Sequence, residues 1–197
     1  MRGNGGNKIV LFPDLDAVIT ILATNYDQTD MHDLTYALIN QYILPALDAG
    51  LQDLGGVRHE APGLVAASEA RFSLGISKNG NTSVDSATLF DTVTVRGQIR
   101  PEAGDVGRSA DVFVVDRLLE DDSWWMQTIG GTWVPWNGTV ADLEPFREGQ
   151  VLTAALYLDL FTGTVRKAGN HRIFLGYRTP DGVLRYHVNG LPLTIVE

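Results

Sequence analysis

Thr92-Val93-Thr94-Val95-Arg96-Gly97-Gln98-Ile99 alternates apolar and polar residues with a period of two, the pattern of a strand with one face on a core. Downstream, Asp111-Val112-Phe113-Val114-Val115 is a short continuous apolar run of the buried-strand type. Similar runs at 72–77, 124–129, 151–160, 171–178, 183–188 and 192–196 are separated by Gly, Pro, Asn and Asp. Thr179-Pro180-Asp181-Gly182 is a turn signal between two of them, because proline presets φ and Asp and Gly tolerate the reversal. About eight strands with no long helix predict an Ig-like or jelly-roll-like β-sandwich over residues 69–197, so the chain is expected to be mainly β with a small α/β N-terminal piece.

Upstream of the sandwich the pattern changes. Residues 50–68 hold Gly50, Gly55, Gly56, Pro62 and Gly63 among small and polar residues, which predicts a linker with a helical turn around Leu64–Ala70. Residues 8–13 and 16–24 are two apolar, β-branched runs joined through Pro13-Asp14-Leu15-Asp16 and read as a β-hairpin covered on both faces. Thr29 or Asp30 then caps a helix whose apolar stripe is Leu34, Leu38, Ile39, Tyr42, Ile43 and Ala46. Residues 1–49 are too few to fold alone without staples, so their apolar strands are expected to dock on the sandwich, dimerise or aggregate.

Composition excludes several classes. With 44% hydrophobic and 20% charged residues the chain is globular, and its longest apolar stretch, Ala17 to Ala23, is too short to span a bilayer. No cysteine is present, so no disulfide framework, thiolate metal site or cysteine nucleophile exists. The net charge of −9 is spread along the chain, which argues against nucleic acid or an anionic membrane surface as partner.

The N-terminal parts come in a telling order: Gly3-Asn4-Gly5-Gly6-Asn7, then Lys8-Ile9-Val10-Leu11-Phe12-Pro13, then Asp16–Leu22, then Asn25-Tyr26, then a helix ending Tyr42-Ile43-Leu44-Pro45-Ala46-Leu47. Over about 45 residues this order resembles the C-terminal end of the β-lactamase-related serine hydrolases, the penicillin-binding-protein-like esterases and class C β-lactamases. The resemblance implies that residues 1–49 are a remnant of a hydrolase that acts on an ester, amide or β-lactam through an acyl-serine. It also implies a missing upstream catalytic segment and a periplasmic or extracellular setting. In the family a Lys-Thr-Gly triad would fall just before Met1, and the Ser-x-x-Lys pair further upstream. This chain has three lysines, Lys8, Lys78 and Lys167, preceded three positions earlier by Gly5, Gly75 and Thr164, so it has no Ser-x-x-Lys. Ser77-Lys78-Asn79 matches Ser-x-Asn without a nucleophile to serve. The chain alone is therefore expected to have no catalytic residue and no hydrolase activity.

The remaining candidates concern binding. Asp91 to Glu197 looks like the accessory β-domains that end bacterial extracellular proteins. There the tryptophans Trp124, Trp125, Trp133 and Trp136 either plug the sandwich or present an apolar face to sugar rings, with Trp133 and Trp136 as substrate-binding candidates. This second reading makes the chain a non-catalytic carbohydrate- or cell-wall-binding module; a third makes the sandwich a spacer or dimerisation domain. His171 and His187 lie in neighbouring predicted strands and could face each other, but two histidines lack a third metal ligand. Glu120-Asp121-Asp122 is consecutive rather than alternating, as in a solvated turn. Neither cofactor nor metal is expected.

Overall fold

The computed structural model describes residues 6–12, 17–24, 29–39, 43, 51–61, 64–82 and 84–197. The chain divides into two compact units, Met1–Ala49 and Gly50–Glu197.

In the first unit, β1 (Lys8–Phe12) and β2 (Ala17–Ile21) pair antiparallel, Lys8 opposite Ile21 and Phe12 opposite Ala17, and form a sheet of two strands. The connecting turn lies outside the described residues, as do Gly3–Gly5, Asn25-Tyr26, Tyr42 and Leu44–Leu47 of the motif series. Helix α1 (Met31–Leu38) starts at Asp30, whose side chain makes no capping hydrogen bond; Asp33 lies in the first turn. Of the expected stripe Ile39 is buried, whereas Leu34 and Leu38 are exposed and Thr35 is buried beside Ile39; Tyr42 and Ala46 lie outside the described residues. Thr35 Oγ1 donates to Gly6 O at 3.0 Å, which ties the helix to the segment entering β1. Lys8 Nζ donates to His32 Nδ1 at 3.0 Å and lies 4.1 Å from the centre of the Tyr36 ring. Leu11, Val18 and Leu22 are exposed, so the hairpin is not covered on both faces as its composition suggests.

The second unit is a sandwich of two sheets. One runs β14 (Leu156–Gly163), β9 (Val93–Arg100), β6 (Arg71–Lys78), β3 (Gln52–Asp53), with β7 (Asn81–Thr82) also on β6. The other runs β12 (Trp133–Trp136), β11 (Ser123–Gln127), β10 (Ser109–Leu118), β15 (Gly169–Arg178), β16 (Leu184–Tyr186), β4 (Val57–Ala61), β5 (Leu64–Ala67). In addition β13 (Arg147–Val151) pairs with β10, and β17 (Leu191–Val196) pairs with β15 and, in parallel, with β8 (Ser86–Thr88). The stretch 50–68, read from composition as a linker, thus carries three strands that pair within these sheets. Leu64–Ala67 is a strand opposite β4, not a helical turn. The run at 151–160 splits between β13 and β14.

Alternation builds the core. Phe72, Leu74 and Ile76 of β6, Val93, Val95 and Ile99 of β9, and Leu158 and Leu160 of β14 project inward from one sheet. They meet Val112 and Val114 of β10, Ile173, Leu175 and Tyr177 of β15, and Leu193 and Ile195 of β17. The other side of β10 is buried too: Phe113 and Val115 pack with Met126, Leu143 and Leu184 in a second cluster. That is why residues 112–115 read as a continuous apolar run.

Polar groups close one end of the sandwich. The Arg185 guanidinium lies 2.9 Å from Glu102 Oε2 and 3.2 Å from Asp105 Oδ2, and the Tyr177 hydroxyl donates to Asp105 Oδ2 at 2.9 Å. Burial, together with the Asp105 carboxylate, holds the Tyr177 phenol well above its ordinary pKa. Ser68 Oγ donates to Glu102 Oε1 at 2.7 Å, and Arg108 bridges Asp105 and Asp181. The buried charges at this end, Arg185 and Asp105, therefore lie beside opposite charges.

Gly97, in the middle of β9, sets how closely the sheets approach. A β-carbon there would lie 2.8 Å from Leu175 Cδ2 and 3.2 Å from both Leu160 Cδ1 and Leu74 Cδ2. Gly97→Val should lower unfolding free energy by about 1–3 kcal/mol in urea melts, the usual cost of overpacking. A variant as stable as the parent would show that the sheets are not in such contact.

Candidate functional site

Trp124 and Trp125 are consecutive on β11, so their side chains leave opposite faces of the sheet. Trp124 is opposite Trp136 and Gln127 opposite Trp133, and directly paired residues share a face. The four tryptophans therefore sort into two pairs. Trp124 and Trp136 lie on the outer face with the second cluster, edge to face at 5.7 Å. Trp124 also stacks on Phe174 at 5.6 Å and carries the Arg117 guanidinium 4.9 Å from a ring centre, and Trp136 Nε1 donates to Thr139 O at 3.0 Å. Trp125 and Trp133 lie on the inner face. Of the two substrate-binding candidates read from sequence, Trp133 thus faces the space between the sheets and Trp136 the opposite side.

On that inner side the opposing sheet ends at β14, and a cleft of about 720 Å³ opens between its edge and the β10–β11–β12 wing. Trp125, Trp133, Val114 and Leu118 line one wall; Leu160, Phe161, Thr164, Val165 and Arg166 line the other. The pairing of β14 with β9 shifts register between Asp159 and Phe161. This bulge lets both Leu160 and Phe161, neighbours that would otherwise alternate, border the cleft. Phe161 meets Trp133 edge to face at 6.4 Å. A second groove of about 810 Å³, lined by Gln127, Phe146, Arg147, Glu148 and Asp159 among others, shares Gly131, Leu160 and Phe161 with the cleft.

The polar groups of the cleft are arranged about His171. Its Nδ1 is 2.8 Å from Asp116 Oδ2 and its Nε2 3.1 Å from Lys167 O. Both neighbours accept, and a neutral imidazole has one N–H to donate; the doubly protonated ring satisfies both. Burial works against that charge, but the hydrogen bond and negative charge of Asp116 outweigh it and hold the pKa above the ordinary 6.5. Lys167 pairs with Asp121 and Arg117 with Asp122, so these two acids anchor cations, while Glu120 accepts from Asn170 N–H and Nδ2.

His171 and His187 do not face each other. His187 is fully buried, stacked on Phe174 at 5.7 Å, and its Nε2 accepts the Leu175 N–H at 2.9 Å. That N–H lies where β15 changes partner from β17 (up to Ile173) to β16 (from Gly176), so no strand is there to receive it. Ser77-Lys78-Asn79 also has a structural role. Asn79 and Gly80 take φ of 49° and 82° in a two-residue hairpin turn, and Asn79 Nδ2 donates to Asp91 Oδ1 at 2.6 Å.

No family model and no curated protein matches the chain. Among solved structures, the crystal structure of the C-terminal domain of Wzt is similar, with a TM-score of 0.42 and 13% identity over 75% of this chain and 81% of that one. β1 and β2, which carry the apolar runs of the N-terminal motif series, form a two-stranded sheet of their own. The resemblance of residues 3–47 to a β-lactamase-related hydrolase is corrected accordingly, and the function it implied falls with it.

The two histidines should titrate apart. Burial drives His187 down to about 4, so unfolding lets the ring take up a proton that the folded state refuses. Its contribution of about 3 kcal/mol is full above the unfolded value near 6.5 and is lost as pH falls toward about 4. His171 runs the other way: its contribution is full below about 6.5 and is lost as pH rises through its raised pKa. NMR titration of the imidazole carbons should show His187 with a midpoint near 4 and His171 above 6.5; coincident midpoints would contradict this account.

Proposed function

We propose that the chain is a non-catalytic carbohydrate-binding module, its sandwich of the jelly-roll-like kind, with the ligand held in the cleft between the β10–β11–β12 wing and the β14 edge. The observation that carries the reading is the pairing of Trp125 and Trp133 on the inner face of that wing, opposite Phe161, with Asp116, His171, Thr132 and Thr164 also lining the space. Sugar rings present apolar C–H faces and hydroxyl edges together. Large, rigid aromatic walls bury the former at low entropy cost, and a few fixed polar groups orient the latter. Among the described residues nothing around the cleft pairs a nucleophile with a base: the imidazole most nearly placed for proton transfer, His171, already has both nitrogens engaged. Binding is what this arrangement does best.

The face sorting of the tryptophans supplies the test. In affinity electrophoresis through a panel of polysaccharides, Trp133→Ala should weaken retention by about thirtyfold or more in Kd, as for a central aromatic contact of about 2 kcal/mol. Trp136→Ala should leave Kd within about twofold while lowering unfolding free energy by about 2 kcal/mol, since it removes packing on the outer face. Equal losses of binding in both variants, or none in Trp133→Ala, would overturn the assignment of the cleft.

A further inference from the structure

We infer that the cleft selects acidic sugars, the Arg166 guanidinium meeting a uronate carboxylate; the inference rests on the glycan-binding reading of the same cleft. The chain as a whole has 24 acidic and 15 basic residues, yet the balance reverses along the cleft, where Arg166, Lys167 and His171 stand with Asp116 as the lining carboxylate. Asp116 is already engaged by His171 at 2.8 Å, so its carboxylate is not free to face an arriving anion. Lys167 is occupied by Asp121. Arg166 is different. It is exposed in the loop between β14 and β15, lines the cleft, and has no ion-pair partner among the described residues.

The neighbouring arginines do not line the cleft. Arg172 lies on β15, where it is directly opposite Arg117 of β10, itself paired with Asp122 on the outer side. In the adjoining groove Arg147 stands over Phe146 at 5.3 Å with Glu148 beside it in sequence, and Asp159 is held by Arg96 at 3.2 Å. Selection for an anion therefore falls on Arg166. A planar guanidinium presents two parallel N–H donors that match the two oxygens of a carboxylate, and a uronate carries that group on the same ring whose C–H face the aromatic walls bury. The aromatic walls and the cation act on different parts of one ligand: Trp133 and Phe161 on ring C–H groups, Arg166 on the exocyclic acid.

The test uses the full chain and pairs of polysaccharides that differ only in charge: several uronic-acid polymers, each with its carboxyl-reduced neutral counterpart. The wild-type chain should bind at least one uronate polymer about tenfold more tightly than its reduced form, a difference that shrinks as salt is raised. Arg166→Ala should erase that difference by weakening the uronate form far more than the neutral one, and Arg166→Lys should restore part of it. Equal affinity for charged and neutral partners, or a preference that survives Arg166→Ala, would overturn the inference. Neutral binding that still depends on Trp133 would then leave the glycan-binding reading standing, whereas absence of binding across the whole panel would sink both. Inorganic phosphate that displaces the uronate polymer as well as free galacturonate does would also overturn the choice of a carboxylate.

Discussion

The structure of the second unit depends on β10 being buried on both of its faces. Its even-numbered side chains, Val112 and Val114, belong to the core between the sheets, and its odd-numbered ones, Phe113 and Val115, belong to the cluster outside. A strand so placed cannot slip by one residue, because every side chain would exchange one core for the other. Its long pairing with β15, from Asp111 opposite Arg178 to Leu118 opposite His171, carries that register across the sheet. The β11–β12 hairpin extends it outward, Trp125 opposite Asp116 and Trp133 opposite Gln127. The side on which each tryptophan emerges is thus decided two strands away.

The cleft follows from a mismatch between the two sheets. The wing of β10, β11 and β12 continues past the edge of the opposing sheet, which stops at β14, so part of an inner face has no facing strand. In most sandwiches such a face would be filled or made polar. Here it is partly shielded by the bulged Phe161 and the following loop, and its lining carboxylate, Asp116, is held by His171. An apolar surface with a few fixed polar groups is left partly open to solvent, which is the condition under which a ligand gains from covering it.

Much of the sandwich was legible in the sequence, because alternation in 93–99 and the continuous run at 112–115 report one-sided and two-sided burial directly. The four-residue β12 was not, since Trp133-Val134-Pro135-Trp136 contains a proline and shows no clear alternation; as an edge strand it tolerates that proline. The strands at 52–53, 57–61 and 64–67 were masked by the glycines and Pro62 between them. Asn79-Gly80 was a readable hairpin signal that the Ser-x-Asn match drew attention away from. The order of motifs in residues 3–47 misled for a different reason. Glycine-rich turn, apolar strand, turn and helix are common parts, and their order constrains neither the sheet they join nor the chemistry beside it. For the site, adjacency of Trp124 and Trp125 already implied opposite faces, but which of Trp133 and Trp136 joined each required the hairpin register. His171 and Asp116, far apart in sequence and diagonal across paired strands, left no local signal at all.

The most direct measurement of the central claim is a titration of the four indole N–H resonances with a bound glycan. Trp125 and Trp133 share the cleft, while Trp124 and Trp136 share the opposite face, so the four probes report the two sides of the same sheet independently. The account predicts saturable shifts of the Trp125 and Trp133 signals, with Trp124 and Trp136 unmoved. Shifts centred on Trp124 and Trp136, or spread equally over all four, would contradict it.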